Sequence, residues 1–95
     1  MTKYEIMYVI RPTVLEDDRK VLIEELNTIF TSRDSQVANV NEWGIKDLAY
    51  EIQDHKKGYY VVLDVVSNDE ARTEFDRIVR IKEDIIRHII IKDVR

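Results

Sequence analysis

Hydrophobic residues recur along this chain with two different periods, which separate predicted strands from predicted helices. Helical spacing relates Leu22, Leu26 and Ile29 in one segment, and Ala71 and Phe75 in another. These patterns predict helices that end near residues 31 and 80. Segments rich in apolar and β-branched residues predict strands, with a break at Gly44 between the second and third segments. The predicted strand segments are 3–10, 36–43, 48–53, 59–66 and 85–92.

Capping patterns predict where both helices begin. Thr13 and Glu16 have the spacing of a capping box directly after Pro12, which ends the first strand. Ser67 and Glu70 repeat that spacing before the second helix. Residues 54–58, "DHKKG", read as a turn between strands.

The order of elements is β-α-β-β-α-β, with the segments on either side of Gly44 taken as one interrupted strand. Two right-handed β-α-β units of this kind combine into a four-stranded antiparallel sheet with both helices on one face. The expected fold is therefore α+β and ferredoxin-like. A chain of 95 residues is expected to form a single domain, residues 1–95.

Composition narrows the expected environment. The chain has no cysteine, which excludes disulfides and thiol chemistry, and no apolar run approaches the ~18 residues of a membrane span. A cytoplasmic location without membrane partners is expected. The net charge of −4 taken alone argues against nucleic-acid binding, because phosphate contacts usually need a basic surface.

Candidate catalytic and metal-binding residues are few. His55 lies in a polar turn, and His88 alternates with isoleucines on the last strand, where a structural role is the commoner one. Glu16, Asp17 and Asp18 fit the first turn of a helix, where negative charge is favourable. No glycine-rich phosphate loop is present. We therefore expect no enzyme activity, no metal, no cofactor and no small-molecule substrate.

One face of the predicted sheet carries unusually apolar side chains. If Tyr59, Val61 and Leu63 point to the helices, then their neighbours point away from them. A solvated sheet face normally shows cleaner polar alternation, so we expect a partner-binding patch there. The alternative is that side chains of the long hairpin fold over this patch. The patch residues are Met7, Val9, Tyr60 and Val62.

The segment "KGYYVVLDV", residues 57–65, partly matches the signature of the RNA recognition motif, which shares this topology. Lys57, Gly58 and Tyr59 fit that signature. Val61 and Asp64 stand where it has base-stacking aromatic residues. The departures favour ordinary strand residues here.

A longer segment, "EWGIKDLAYEIQDHKKGYY", resembles the centre of the bacterial small-subunit ribosomal protein six family. The resemblance covers essentially the whole chain, because "KYEIMYVIRP" and "EFDRIVRIKEDIIRHIIIK" are similar to that family's ends. Only Lys46 is basic among residues 45–47, where the family usually has two adjacent basic residues. The central residues that fit are Trp43, Gly44, Leu48, Ala49, Tyr50, Ile52, Gly58 and Tyr59.

This resemblance implies a structural, non-enzymatic role in the ribosome. Family members pair with small-subunit ribosomal protein eighteen, and the pair binds the central domain of the small-subunit ribosomal RNA. An acidic chain fits such a pair if the basic partner supplies most phosphate contacts.

The resemblance also suggests roles for individual residues. Gly44 would permit a bulge in a long edge hairpin. Trp43, Leu48 and Tyr50 would be structural, with Leu48 and Tyr50 anchoring the hairpin. The basic residues expected to contact RNA are Lys3, Lys46, Arg80, Arg87 and Lys92.

A rival interpretation remains open. The chain would then be a free-standing ferredoxin-like interaction module, or a diverged or redesigned family member, that dimerises through its sheet face without binding RNA. Co-sedimentation with small ribosomal subunits, as against self-association, distinguishes the two.

Overall fold

A computed structural model describes residues 1–52 and 55–92. The predicted order β-α-β-β-α-β is confirmed. The predicted turn at residues 54–58 is wrong where it is described, because residues 55–58 belong to the third strand and lengthen the hairpin. Its first residue, 54, and the predicted strand end at residue 53 lie outside the described residues. The elements are β1 (Thr2–Ile10), α1 (Glu16–Thr31), β2 (Gln36–Ile52), β3 (His55–Ser67), α2 (Asp69–Ile81) and β4 (Ile85–Lys92).

The four strands form one sheet in the order β2-β3-β1-β4, and every neighbouring pair is antiparallel. Both helices pack on the same face. Leu26 and Phe30 of α1 and Phe75 of α2 share one buried cluster with Tyr8 and Leu63 of the central strands. The α+β ferredoxin-like prediction is therefore confirmed.

Residues of β3 alternate strictly between the two faces. Val61, Leu63 and Val65 are buried under the helices, whereas Val62 is half-buried and Asp64 exposed on the other side. The predicted orientation of this strand is confirmed. It places Met7, Val9, Tyr60 and Val62 together on the side away from the helices.

Both helices begin later than their capping patterns predict. Helix α1 starts at Glu16 with Leu15 as its N-cap and no side-chain cap, so the Thr13 prediction is wrong. Residues 12–14 form a turn after the first strand instead. The N-cap of α2 is Asn68, whose Oδ1 accepts from the Ala71 amide at 2.8 Å.

Strand β2 is one 17-residue strand, not two segments. Its pairing with β3 shifts register in three places, and one shift falls between Glu42 and Gly44. Gly44 has φ of 84°, which side chains disfavour. The predicted bulge at Gly44 is confirmed. The strand continues through Gly44 because this bulge adds only one residue to β2 relative to β3.

Neither helix in the described residues is long and apolar enough to cross a membrane.

Candidate functional site

The open sheet face is the side of the sheet that the helices leave uncovered. Its central row is apolar: Met7 of β1 lies opposite Val62 of β3 and Ile89 of β4, and all three side chains are half-buried. Ile91 of β4, at 55% exposure, extends this apolar surface along the edge strand. Three neighbouring strands thus present hydrophobic side chains to solvent, which is typical of a protein-docking surface.

An aromatic pair borders this row on the side of β2. The rings of Trp43 and Tyr60 are nearly parallel, at an angle of 10° with centroids 6.4 Å apart. Trp43 is the extra residue of the bulge before Gly44. The ammonium group of Lys46 lies 5.9 Å from the Trp43 ring centroid. Trp43 is 53% exposed, so it lies on the surface and not in the core.

The end of the β2–β3 hairpin covers part of the predicted patch. Val9 has no exposed surface, although it faces away from the helices, so the expectation that it is accessible to a partner is wrong. A Cβ atom at Gly58 would collide with Val9 Cγ1 and lie 3.6 Å from Leu48 Cδ2. Gly58 and Leu48 therefore lie over Val9. The alternative that the hairpin folds over the patch holds for this residue.

The same hairpin reaches the opposite edge of the sheet. Arg87 Nη1 donates to the Tyr50 hydroxyl at 3.4 Å, and the Arg87 guanidinium lies 5.9 Å from the Tyr50 ring centroid. Arg87 pairs with Val9 in the sheet register, so Tyr50 reaches past β1 to the edge strand β4. Tyr50 is nevertheless 63% exposed, which makes it an anchor on the surface.

On the helix side, Tyr59 ties the hairpin to α1. Its hydroxyl donates to Glu42 Oε1 at 2.7 Å, and the Arg19 guanidinium lies 3.9 Å from its ring centroid. Partial burial, followed by the hydrogen bond to Glu42, raises the pKa of the Tyr59 phenol. The long hairpin is thus fastened on both faces of the sheet.

The five predicted RNA-contact residues fall into three places. Lys46 and Arg87 lie on the open sheet face at its hairpin end, whereas Lys3 lies opposite Val66 at the other end of that face. Arg80 and Lys92 lie on the helix side of the sheet. The structure therefore does not bring all five together.

Asp47 follows Lys46 where a second basic residue was expected. Its carboxylate lies 3.8 Å from the Lys57 ammonium on the neighbouring strand, and both side chains are largely exposed. The cross-strand ion pair reduces the negative potential beside Lys46, although an exposed pair of this kind contributes little stability.

Arg80 and Lys92 border a groove between α2 and β4, which we call the α2–β4 groove. Asp76 sits within it and contacts His88 Nε2 and Arg80 Nε, each at 3.0 Å. Burial alone would raise the pKa of Asp76, but the hydrogen bonds from His88 and Arg80 outweigh it and lower the pKa. The groove has a volume of about 470 Å³ and is lined by Tyr4, Arg72, Asp76, Arg80, His88, Ile90 and Lys92.

Arg72 also lines the groove, although the sequence analysis did not predict it as a binding residue. Its spacing could have indicated it, because positions 72, 76 and 80 lie on one helix face. Within residues 1–52 and 55–92, no three acidic or histidine side chains are grouped to hold a metal ion.

Comparisons with known proteins identify the family of this chain. The family model described as ribosomal protein S6 matches residues 3–92. The structure is similar to a crystal structure of the 30S ribosomal protein S6 from Thermotoga maritima, with a TM-score of 0.91 and 28% sequence identity. The match covers 97% of this chain and 87% of that one. The chain thus belongs to the ribosomal protein S6 family, non-enzymatic structural constituents of the small ribosomal subunit.

Proposed function

We propose that this chain binds small-subunit ribosomal RNA jointly with small-subunit ribosomal protein eighteen. In this proposal the open sheet face docks the protein partner and nearby cations contact RNA. The observation that carries the proposal is the apolar row of Met7, Val62 and Ile89, which the helices and hairpin leave accessible. Family membership supports the ribosomal setting.

The net charge of the chain favours RNA binding that is shared with a basic partner. The chain carries a net charge of −4, and much of the affinity for RNA comes from cations that displace condensed counterions at the phosphates. A basic partner on the open sheet face would supply those cations and would be attracted electrostatically to this acidic chain. The chain by itself is therefore expected to bind RNA only non-specifically.

The surface has the composition of a protein interface. Its centre is apolar, and Tyr60 and Trp43 at its margin are residue types enriched at protein interfaces. Arg87 and Lys46 stand at the hairpin end of the same face, where their cationic groups can reach RNA phosphates next to a docked protein.

The test is reconstitution from purified components. Fluorescence anisotropy measures binding of a labelled central-domain fragment of small-subunit ribosomal RNA to this chain, with and without protein eighteen. We expect tight binding only when both proteins are present, and a Kd of about 10⁻⁴–10⁻⁶ M for the chain alone at physiological salt. Tight, specific binding by the chain alone would contradict the shared role.

A matched pair of variants tests the docking face. Tyr60→Asp places a carboxylate at the margin of the apolar row, and a docked partner would have to desolvate it at a cost of several kcal/mol. We expect joint RNA binding to fall at least about a hundredfold. Thr73→Asp adds the same charge on the exposed surface of α2 and should leave binding nearly unchanged.

Thermal melting checks whether both variants remain folded. If folded Tyr60→Asp still assembles at full strength, the protein partner docks elsewhere. Sedimentation equilibrium of the chain alone tests the rival interpretation. A stable dimer that Tyr60→Asp dissociates would mean that a second copy of the chain occupies the open sheet face.

A further inference from the structure

We propose that the α2–β4 groove is a phosphate-binding site. Arg72, Arg80 and Lys92 supply the donors to the phosphate oxygens.

Two regular spacings place these residues along one groove. Arg72, Asp76 and Arg80 follow one another at intervals of four on α2, which aligns them along one side of the helix. His88 and Lys92 lie on the same face of β4, because side chains alternate along a strand. The helix row faces the strand row across the groove.

The cations are available for a ligand. Arg80 uses Nε to contact Asp76, and its side chain remains 68% exposed. Arg72 lies with its guanidinium 5.9 Å from the Tyr4 ring centroid, an arrangement that orients it without using its N–H donors. Guanidinium forks match the oxygens of phosphate well.

The net charge of the groove is positive despite Asp76. Among the lining residues described, Arg72, Arg80 and Lys92 outnumber the single carboxylate. The Asp76 carboxylate is engaged by His88 and Arg80, so its negative charge is already compensated inside the groove. The site therefore attracts a compact anion.

His88 connects the Asp76 carboxylate to β4. Its Nε2 atom lies 3.0 Å from Asp76 Oδ1, and its side chain is 20% exposed. This contact fixes the position of the single carboxylate among the lining residues described.

Phosphate could reach this groove from an RNA backbone or as a free anion. The RNA source rests on the proposed function, whereas the free-anion source does not. Two probes separate them: sulfate, a doubly charged tetrahedral oxyanion, and a single-stranded oligouridylate. Amide chemical shifts of the full chain report binding of each probe residue by residue.

We expect shift changes with sulfate to concentrate at residues 72–80 and 88–92. Shift changes spread over the surface, or confined to the open sheet face, would overturn the proposal.

Arg72→Gln and Arg77→Gln form the decisive pair, because both remove one cation from α2. Arg77 lies outside the groove and pairs with Glu74. Arg72→Gln should weaken sulfate binding about tenfold, whereas Arg77→Gln should change it less than about twofold. Equal effects would mean that anions are attracted to the helix in general and not to the groove. Melting curves check whether both variants fold.

The two probes then identify the source of the phosphate. Amide shift changes in the groove on addition of oligouridylate indicate RNA as the source. The slope of its affinity against salt concentration should then correspond to about one phosphate contact fewer in Arg72→Gln. Sulfate binding without oligouridylate binding indicates a free anion. If sulfate binds in the groove but the chain does not bind ribosomal RNA together with protein eighteen, the proposed function is wrong and the phosphate-site proposal is supported.

Discussion

The two faces of the sheet differ in how completely the chain itself covers them. On the helix side, Leu63 and Val61 have no exposed surface. One position away on the same strand, Val62 is half-buried and Asp64 exposed. Helices bury one face continuously along the strands, whereas the hairpin covers only the end of the other. The covered face is therefore a core, and the open face is a surface with an apolar centre.

Truncation at neighbouring positions of β3 gives the largest expected contrast. Leu63→Ala removes a fully buried side chain from the shared core and should lower the free energy of unfolding by about 2–5 kcal/mol. Val62→Ala removes a half-buried side chain and should cost less than about 1 kcal/mol. Urea denaturation measures both. Equal losses would mean that the open sheet face is structurally part of the core.

Gly58 tests how tightly the hairpin covers the open face. Gly58→Ala introduces a Cβ that collides with Val9 Cγ1, and such overpacking costs about 1–3 kcal/mol. Because the clash is with Val9, adding Val9→Ala to this variant should cost less than Val9→Ala costs in the original chain. A double-mutant cycle measured by urea denaturation checks this, and strict additivity would contradict the contact.

Much of the fold could be predicted because local patterns determine it. The period-two pattern of β3 gave the correct faces, and the spacing of Leu22 and Leu26 gave the first helix. The cap at Thr13 was wrong because Pro12 and Thr13 also suit a turn, and the capping spacing cannot choose between the two. Local pattern therefore predicts which elements form better than where they begin.

The candidate site was predicted less completely, because it depends on contacts between distant segments. Val9 looked accessible, since its alternation shows the face but not that Leu48 and Gly58 fold over it. Likewise, nothing near His88 in the sequence indicates that Asp76 and Arg72 lie across a groove from it. Such sites can be recognised only from the folded structure, which shows which helix residues face which strand residues.

Gly44 separates backbone strain from steric contact within the hairpin. A Cβ built there has no atom within 4 Å, so the cost of Gly44→Ala, about 1–2 kcal/mol, should come from its φ of 84° alone. Gly44→Asn should cost less, because asparagine tolerates positive φ better than alanine does. Urea denaturation compares the two variants. A larger loss with asparagine would show that space, not backbone strain, governs this bulge.

The smallest expected effect on stability is that of Asp76, which lies in the α2–β4 groove on the helix-covered side of the sheet. Hydrogen bonds from His88 and Arg80 overcome burial and lower the pKa of Asp76 below its ordinary value of 3.8. The stabilisation from these contacts should be complete above that value and disappear as the pH falls through the lower pKa of the folded state. Asp76→Asn should therefore cost up to about 1 kcal/mol at neutral pH.

That cost should shrink towards zero in acid, because the original chain then loses the same contacts by protonation. Urea denaturation of both proteins across an acid pH series measures the difference. Asp64→Asn is the matched control, since Asp64 is exposed on the open sheet face and the same charge is removed. A cost for Asp76→Asn that stays constant down to the lowest pH would mean that side-chain shape, and not charge, stabilises the groove.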